Sequence, residues 1–416
     1  MSGNFKKFLL LWAGELISSI GGGLTSFGLG VYVFRQTGSA AYMGLVTLLA
    51  FLPTLLLSVP AGVLADRFDR RLLMMIGDGF SGLGVAFILI CMKCGGATML
   101  QICTGVLVSA VFSSLLEPSY RATITDLLSK EEFSKASGLV SLAGSARYLF
   151  SPVIAGFLLS ISDITLLLAI DICTFFVTVT ATAIVRKSIT TKKAETSSSF
   201  AESIGEGWQA VHGRKGVFKL ILVSSDITMF MGVLQILVEP MVLSIADEKI
   251  LGITETVCAC GMLVSGLILG ITGIKKGYVK ILRISFFMAG AFMAGISLFE
   301  NVIPICLFGF MFFAVLPFAN NCLDYLARTN IPDHLQGRAW GFIGSLSQIG
   351  YVAAYGLSGI AADAFGRLTG YGVGRGAALM ILISGVLLAV SAVTLLRDRD
   401  IQQLENENAA DARQLV

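Results

Sequence analysis

Charge is scarce in this chain: Asp, Glu, Lys and Arg make up 14% of its 416 residues, where a soluble globular chain carries about 25%. Apolar residues reach 55% and the mean hydropathy is +0.82. Folding in water cannot hide that much apolar surface, so a soluble enzyme, a disordered protein and a nucleic-acid binder are excluded at the outset. The net charge of +3 is too small to point to a polyanionic partner.

Several chemistries are also missing from the sequence. There is no GxxxxGK[ST] loop to hold a nucleotide. The two histidines, His212 and His334, lie in polar segments with no cluster of metal-ligand spacing around them. No Ser/His/Asp or paired-carboxylate arrangement specifies a hydrolase. The expectation is a chain that is not an enzyme, with no cofactor and no metal. The eight cysteines lie mostly within apolar runs, so they make no extracellular disulfide framework. Cys91 and Cys94 have CxxC spacing at a predicted helix end, and incidental thiols are the favoured reading there over a disulfide or metal site.

What the chain has is length without charge. Leu16–Phe34, Gln36–Ala65, Cys94–Leu116, Thr256–Ile274, Asn301–Leu323, Ala339–Ala362 and Gly376–Leu396 carry none. A helix that crosses a bilayer needs about 20 mostly apolar residues. Five further runs, near 72–92, 136–160, 164–185, 217–245 and 281–299, are interrupted by one or two charges. Twelve crossings are expected. The first, preceded by Lys6 and Lys7, is too long for a removable signal peptide and lacks a small-residue cleavage site.

The basic residues orient the chain. With the N-terminus placed inside, 24 of the 30 Lys and Arg fall on the inner side, five on the outer side, and Arg147 within a span. Basic residues near span ends stay cytoplasmic, so both termini are expected in the cytoplasm. Residues 186–216 form the longest polar stretch before the tail, with a flexible Lys192–Ser199 composition. After it, Phe200, Ile204, Trp208 and Val211 recur at helical spacing, which reads as an amphipathic helix lying on the membrane. The expected organisation is a six-helix bundle over 1–185, a linker over 186–216, a second six-helix bundle over 217–396 and a polar tail over 397–416. A shift of 203 residues sets Lys135-Ala-Ser-Gly138 on Arg338-Ala-Trp-Gly341 and Ala155-Gly156 on Ser358-Gly359, as parallel repeats would.

Between the second and third spans the chain reads Gly62-Val-Leu-Ala-Asp66-Arg67-Phe-Asp-Arg70-Arg71. This resembles the GxxxDRxGRR loop of the major facilitator superfamily, with Asp69 where glycine is usual. Ser18–Gly21, Thr37–Ala40, Glu206-Gly207, Pro332 and Gln336–Arg338 resemble the drug-antiporter and macrolide-efflux-like branch. In the fifth span, Gly138, Pro152 and Gly156 match an antiporter signature, while Arg147, Ser151 and Ala155 depart from it. The resemblance implies an all-α secondary transporter of the bacterial plasma membrane, cycling between inward- and outward-open states, with Gly62, Asp66, Arg67, Arg70 and Arg71 forming its conformational switch. A single chain is the expected working unit.

Charges within spans are costly in hydrocarbon and usually face a cavity or a partner. Glu15 in the first span and Asp226 in the seventh are therefore candidates to carry protons, against the alternative that they only order helices. Arg147 is a candidate counter-charge or substrate ligand. Tyr32, Gln235, Asn320 and Asn321 are candidate substrate contacts on the first, seventh and tenth spans, and Tyr325 shares that position. Asp78 and Asp171, on spans three and six, read as structural, and Glu117 is placed in span four. The combined reading is export of small amphipathic or hydrophobic compounds in exchange for protons. The alternatives are transport of a lipid or siderophore-like anion held by Arg147, or a non-transporting receptor or scaffold with the same fold.

Overall fold

The computed structural model describes residues 3–187, 215–331, 343–397 and 400–405, and every regular element among them is helical. The helices of the first half are α1 (Gly3–Thr37), α2 (Ala40–Arg67), α3 (Arg70–Lys93), α4 (Met99–Ser113), α5 (Leu116–Leu127), α6 (Lys130–Ile161) and α7 (Ile164–Lys187). Those of the second half are α8 (Lys215–Leu243), α9 (Glu248–Thr272), α10 (Tyr278–Ser297), α11 (Val302–Thr329), α12 (Ile349–Thr369) and α13 (Val373–Arg397). A helix satisfies its own backbone hydrogen bonds, which hydrocarbon demands because it offers no water to replace them.

Eleven helices among the described residues are long and apolar enough to cross a membrane. The fourth of these spans is Met99–Leu127, formed by α4 and α5 together across a short interruption at Ser114 and Leu115. The remaining expected span, Ala339–Ala362, eleventh in chain order, begins outside the described residues, and most of its described part lies in the 21-residue helix α12. The expected amphipathic helix over 200–211 lies outside them as well, as do Pro332 and Gln336–Arg338.

Local chemistry sets where helices start. Thr98 and Gln101 form a capping box that delays α4 to Met99, five residues after the expected start at Cys94. Asp247 accepts the backbone N–H of Ile250 at 2.8 Å, which starts α9 at Glu248 rather than at Thr256. Asn301 caps α11 by accepting from Ile303, and a Ser129–Glu132 capping box starts α6.

The chain divides into two compact units, Met1–Glu195 with Ala246–Thr256, and Thr196–Ile245 with Val257–Val416. In the first, α1 packs on α6 and α7, α3 on α4 and α7, and α2 on α4. In the second, α8 packs on α12 and α13, and α10 on α11 and α13. Gly261 of α9 faces the backbone of Phe310 and Ala314 on α11. The same set of neighbours thus recurs, α8–α13 standing for α1–α7, which is the internal repeat that the 203-residue shift anticipated. Small residues carry the tightest crossings, as is usual between membrane helices. A Cβ on Gly84 of α3 would sit 2.5 Å from the carbonyl oxygen of Gly105 on α4. The first turns of α9 belong to the first unit because Gly252 abuts the backbone of Pro152 and Gly156 on α6, and the Thr256 hydroxyl donates to the Leu149 carbonyl at 3.0 Å.

Candidate functional site

In the first unit the polar groups within the helices gather on the seam between α1, α3, α6 and α7. Asp171 of α7 is 1% exposed and accepts the Thr25 hydroxyl of α1 at 2.6 Å. Thr174, one turn on, reaches the other Asp171 oxygen at 3.3 Å. Gly21 of α1 lies against these groups, and a Cβ there would stand 2.8 Å from the Asp171 carboxylate. Asp78 of α3 is 2% exposed and lies beside Thr178 of α7, whose hydroxyl donates to the Thr174 and Phe175 carbonyls. The seam therefore encloses two carboxyl groups and gives Asp171 two threonine donors. Hydrogen bonding of this kind is the ordinary condition for burying such groups at all. We predict that Thr25→Val, nearly the same shape without the donor, costs about 1–3 kcal/mol of stability, read as a lowered unfolding temperature of the purified protein, whereas Thr180→Val on the exposed face of α7 costs little.

Glu15 lies on α1, half-buried, with no ion pair among the described residues. Arg147 of α6 is exposed and likewise makes no ion pair, although its charge acts on both Glu15 and Asp171. Its side-chain stem lies where a Cβ on Gly23 of α1 would meet it, 3.1 Å away. Beside it, Ser151 donates to the Ile20 carbonyl of α1 at 3.0 Å. Glu15 and Arg147 are thus on one packed helix pair without a fixed bond between them.

The second unit carries the same theme with the roles exchanged. Asp226 is on α8, the repeat mate of α1, and lies beside Ser391 of α13, the repeat mate of α7, whose hydroxyl donates to the Leu388 carbonyl at 2.9 Å. The acid stands on α7 in one unit and on α8 in the other, and the hydroxyl on the opposite helix of each pair. Gln235 accepts the Tyr355 hydroxyl of α12 at 2.5 Å, a bond between helices. Asn320 and Asn321 are exposed on α11, and Tyr32 packs into the apolar cluster of α1, α3 and α4. Tyr325 stacks on Tyr278 with ring centroids 3.7 Å apart.

The loop after α2 is more heavily bonded than its sequence suggests. Arg70 donates to the carbonyls of Ala65 and Ala122, both at 3.1 Å, and to Asp126 of α5 at 2.6 Å, and lies 3.5 Å from Asp66. Arg71, 3% exposed, reaches the other Asp126 oxygen at 3.4 Å. Asp69 caps α3 through the Arg71 N–H and pairs with Arg186 at the end of α7 at 2.6 Å. The residue that departs from the usual glycine therefore ties α3 to α7. Asp66 and Arg67 are exposed, and Gly62 has open space around it.

Of the fifth-span signature, Gly156 and Pro152 meet Glu248 and Gly252 of α9 at backbone distance, while Gly138 has open space where a Cβ would be. Glu117 opens α5 as an exposed residue paired with Arg121 at 2.7 Å. Cys91 and Cys94 are free thiols.

Residues 11–354 match the profile of the Major Facilitator Superfamily. The chain belongs to that superfamily. It is a multi-pass membrane transporter and not an enzyme. Macrolide efflux protein A of Streptococcus pyogenes is 26% identical to it over 96% of this chain and 97% of that protein. The staphyloferrin A transporter of Staphylococcus aureus is 25% identical over 73% of each chain. Among solved structures, the nucleoside transporter NupG superposes with a TM-score of 0.76 at 12% identity, covering 94% of this chain and all of that one, a likeness of fold alone.

Three kinds of group in this superfamily member escape a reading of the sequence. Asp126 and Arg186 hold the loop after α2 from helices distant in sequence. Glu248 takes Arg35, at the far end of α1, in an ion pair of 2.7 Å. Glu255 is a further acid within a span, since α9 starts seven residues before it. The N-cap chemistry of Asp247 was the one signal that would have moved it inside.

Proposed function

We propose that this transporter exports small amphipathic or hydrophobic compounds across the bacterial plasma membrane in exchange for protons, working as a single chain with both termini in the cytoplasm. The observation that carries the reading is Glu15, an acid inside a membrane-spanning helix that no ion pair fixes among the described residues. Such a group is free to exchange a proton for a cationic or polar substrate group as access alternates. Asp226 serves as the second carboxyl. The membrane potential supplies about 2.3 kcal/mol per charge per 100 mV for each proton that enters. The two-thirds coverage and more by relatives named for efflux of macrolides supports the direction and the substrate class. The switch is assigned to Gly62, Asp66, Arg67, Arg70 and Arg71; the bonds of Arg70 and Arg71 to α5, with that of the neighbouring Asp69 to Arg186 of α7, make it a part that moves with the first unit. Gly138, Pro152 and Gly156 shape α6, and Arg147, Tyr32, Gln235, Asn320 and Asn321 are assigned to substrate.

The test is flux in proteoliposomes of purified protein, with a panel of macrolides and lipophilic cations and an imposed pH gradient. Accumulation that collapses when a protonophore is added is expected. Flux indifferent to the gradient overturns antiport, and no flux for any compound overturns the substrate class. Arg147, exposed and with no ion pair among the described residues, favours a second reading in which the substrate is a siderophore-like anion, and one relative is named a staphyloferrin A transporter. Flux of citrate-type chelators in the same vesicles, lost in Arg147→Gln, distinguishes it.

A further inference from the structure

The tail after α13 reads as a polar appendage, but the structure folds part of it back. Residues 400–405 are helical, and Ile401 and Leu404, the apolar pair in this polar stretch, are 1% and 5% exposed. Contacts at three points fix the segment to its own unit. Asp400 pairs with Lys219 of α8 at 2.6 Å. Asn330, just past α11, donates to the Leu404 carbonyl at 3.3 Å while also donating to Leu326 at 2.9 Å. The Glu405 carboxylate takes the backbone N–H groups of Tyr278 and Val279 at 2.9 and 3.1 Å.

The last contact answers a defect in α10. The first N–H groups of any helix lack intrahelical partners and are usually met by a Ser, Thr, Asp or Asn just ahead of the helix. Ahead of α10 stands Gly277, in the left-handed region with φ of 78° and no side chain to offer. Glu405, 127 residues away, supplies the cap and places a negative charge at the positive end of the helix dipole. The site is also built to receive the segment. Gly216, in the first turn of α8, lies against Leu404 and the Asp400 carbonyl, and a Cβ there would stand 2.8 Å from the Leu404 side chain.

We infer that residues 400–405 are a clasp that supplies the missing N-cap of α10 and binds the adjoining ends of α8, α10 and α11, so that the second unit moves as one body during transport. The clasp acts without touching substrate, and its role is one of positioning. It is independent of which ion drives transport or which compound is carried.

The decisive measurement is hydrogen exchange of the full-length protein in detergent, followed by mass spectrometry on the peptide that covers residues 278–285. In the wild type the Tyr278 and Val279 amides are protected. In Glu405→Ala their exchange rises about tenfold, the effect of losing a cap, while Glu405→Gln, which keeps an acceptor without the charge, gives an intermediate rate. Gly216→Leu, which fills the receiving site, releases the same amides with Glu405 intact. A stop codon in place of Asp400 extends the release to the first turn of α8 and slows substrate flux severalfold. Equal exchange in the wild type, Glu405→Ala and Glu405→Gln overturns the cap. Release of the amides with full flux in Glu405→Ala overturns its part in transport while leaving the cap. If the shortened chain fails to reach the membrane, exchange and flux in the two Glu405 variants decide both questions.

Discussion

Replacing Glu15 by Gln abolishes proton-driven export while the protein still reaches the membrane and still binds substrate. The placement of this carboxyl is the reason. It is half-buried on α1, packed against α6, and no ion pair holds it among the described residues. A permanent structural pair would show its partner, and removal of one member of such a pair would cost about 3–5 kcal/mol and endanger folding. Glu15→Gln keeps size and hydrogen-bonding ability and removes only the exchangeable charge. Counter-flow of substrate against substrate, which needs no net proton movement, should therefore survive, and flux driven by a pH gradient should fall at least tenfold. If gradient-driven flux is unchanged, Glu15 is not the carrier and Asp226 or Glu255 takes its place as the candidate. If both modes are lost together, Glu15 acts on substrate binding instead. Measuring the two modes in the same vesicles separates these outcomes.

The second large effect is structural. Gly290→Leu should prevent recovery of folded, monodisperse protein. Gly290 of α10 and Gly385 of α13 face one another, and a Cβ on Gly290 would stand 2.6 Å from the Gly385 carbonyl oxygen and against the backbone of Ala389. The opposing atoms are backbone, so no side chain can swing away. The helices must part by more than an ångström, which opens the crossing over several turns and costs more than the usual ~1–3 kcal/mol of overpacking. In a bilayer the loss falls directly on van der Waals contact, which is most of what holds membrane helices together. Gly138→Ala and Gly62→Ala, where a Cβ enters open space, should by contrast leave the elution profile and unfolding temperature unchanged. Aggregation of these two controls alongside a well-behaved Gly290→Leu would reverse the packing argument.

The separation between these two predictions mirrors how the chain divides its work. The acids of the first unit are of two kinds. Asp78 and Asp171 are enclosed, and Asp171 is bonded to Thr25 and Thr174, whereas Glu15, on the same seam, is less enclosed and has no ion pair among the described residues. Each is a lone acid in an apolar run, and the sequence separates them only by the span each occupies. Burial and partners distinguish them, and only packing assigns either. The exchange of acid and hydroxyl between α1–α7 and α8–α13 is a further case. It is invisible to the 203-residue shift, because the shift compares residues and the repeat here preserves a helix pair rather than a side chain.

The loop after α2 shows the same division. Its motif was legible, and so was the departure at Asp69. What Asp69 does was not, because Arg186 lies 117 residues further on. Glu255 was misplaced outside a span for a local reason. The apolar run begins at Thr256, but a helix begins where its first N–H groups are capped, and Asp247 caps them nine residues earlier.

By itself the sequence determined that the chain is a many-spanning helical membrane protein built from two repeats, with its family motif between the second and third spans. Those properties are one-dimensional. A bilayer requires a fixed length of apolar residues, and hydrocarbon leaves the backbone no choice but the helix. The tertiary structure decided which acids are paired, which glycines bear a crossing and which distant residue caps α10. These depend on which side chains meet across helices, and a bilayer, being uniformly apolar along each helix flank, imprints no periodic pattern that would reveal it.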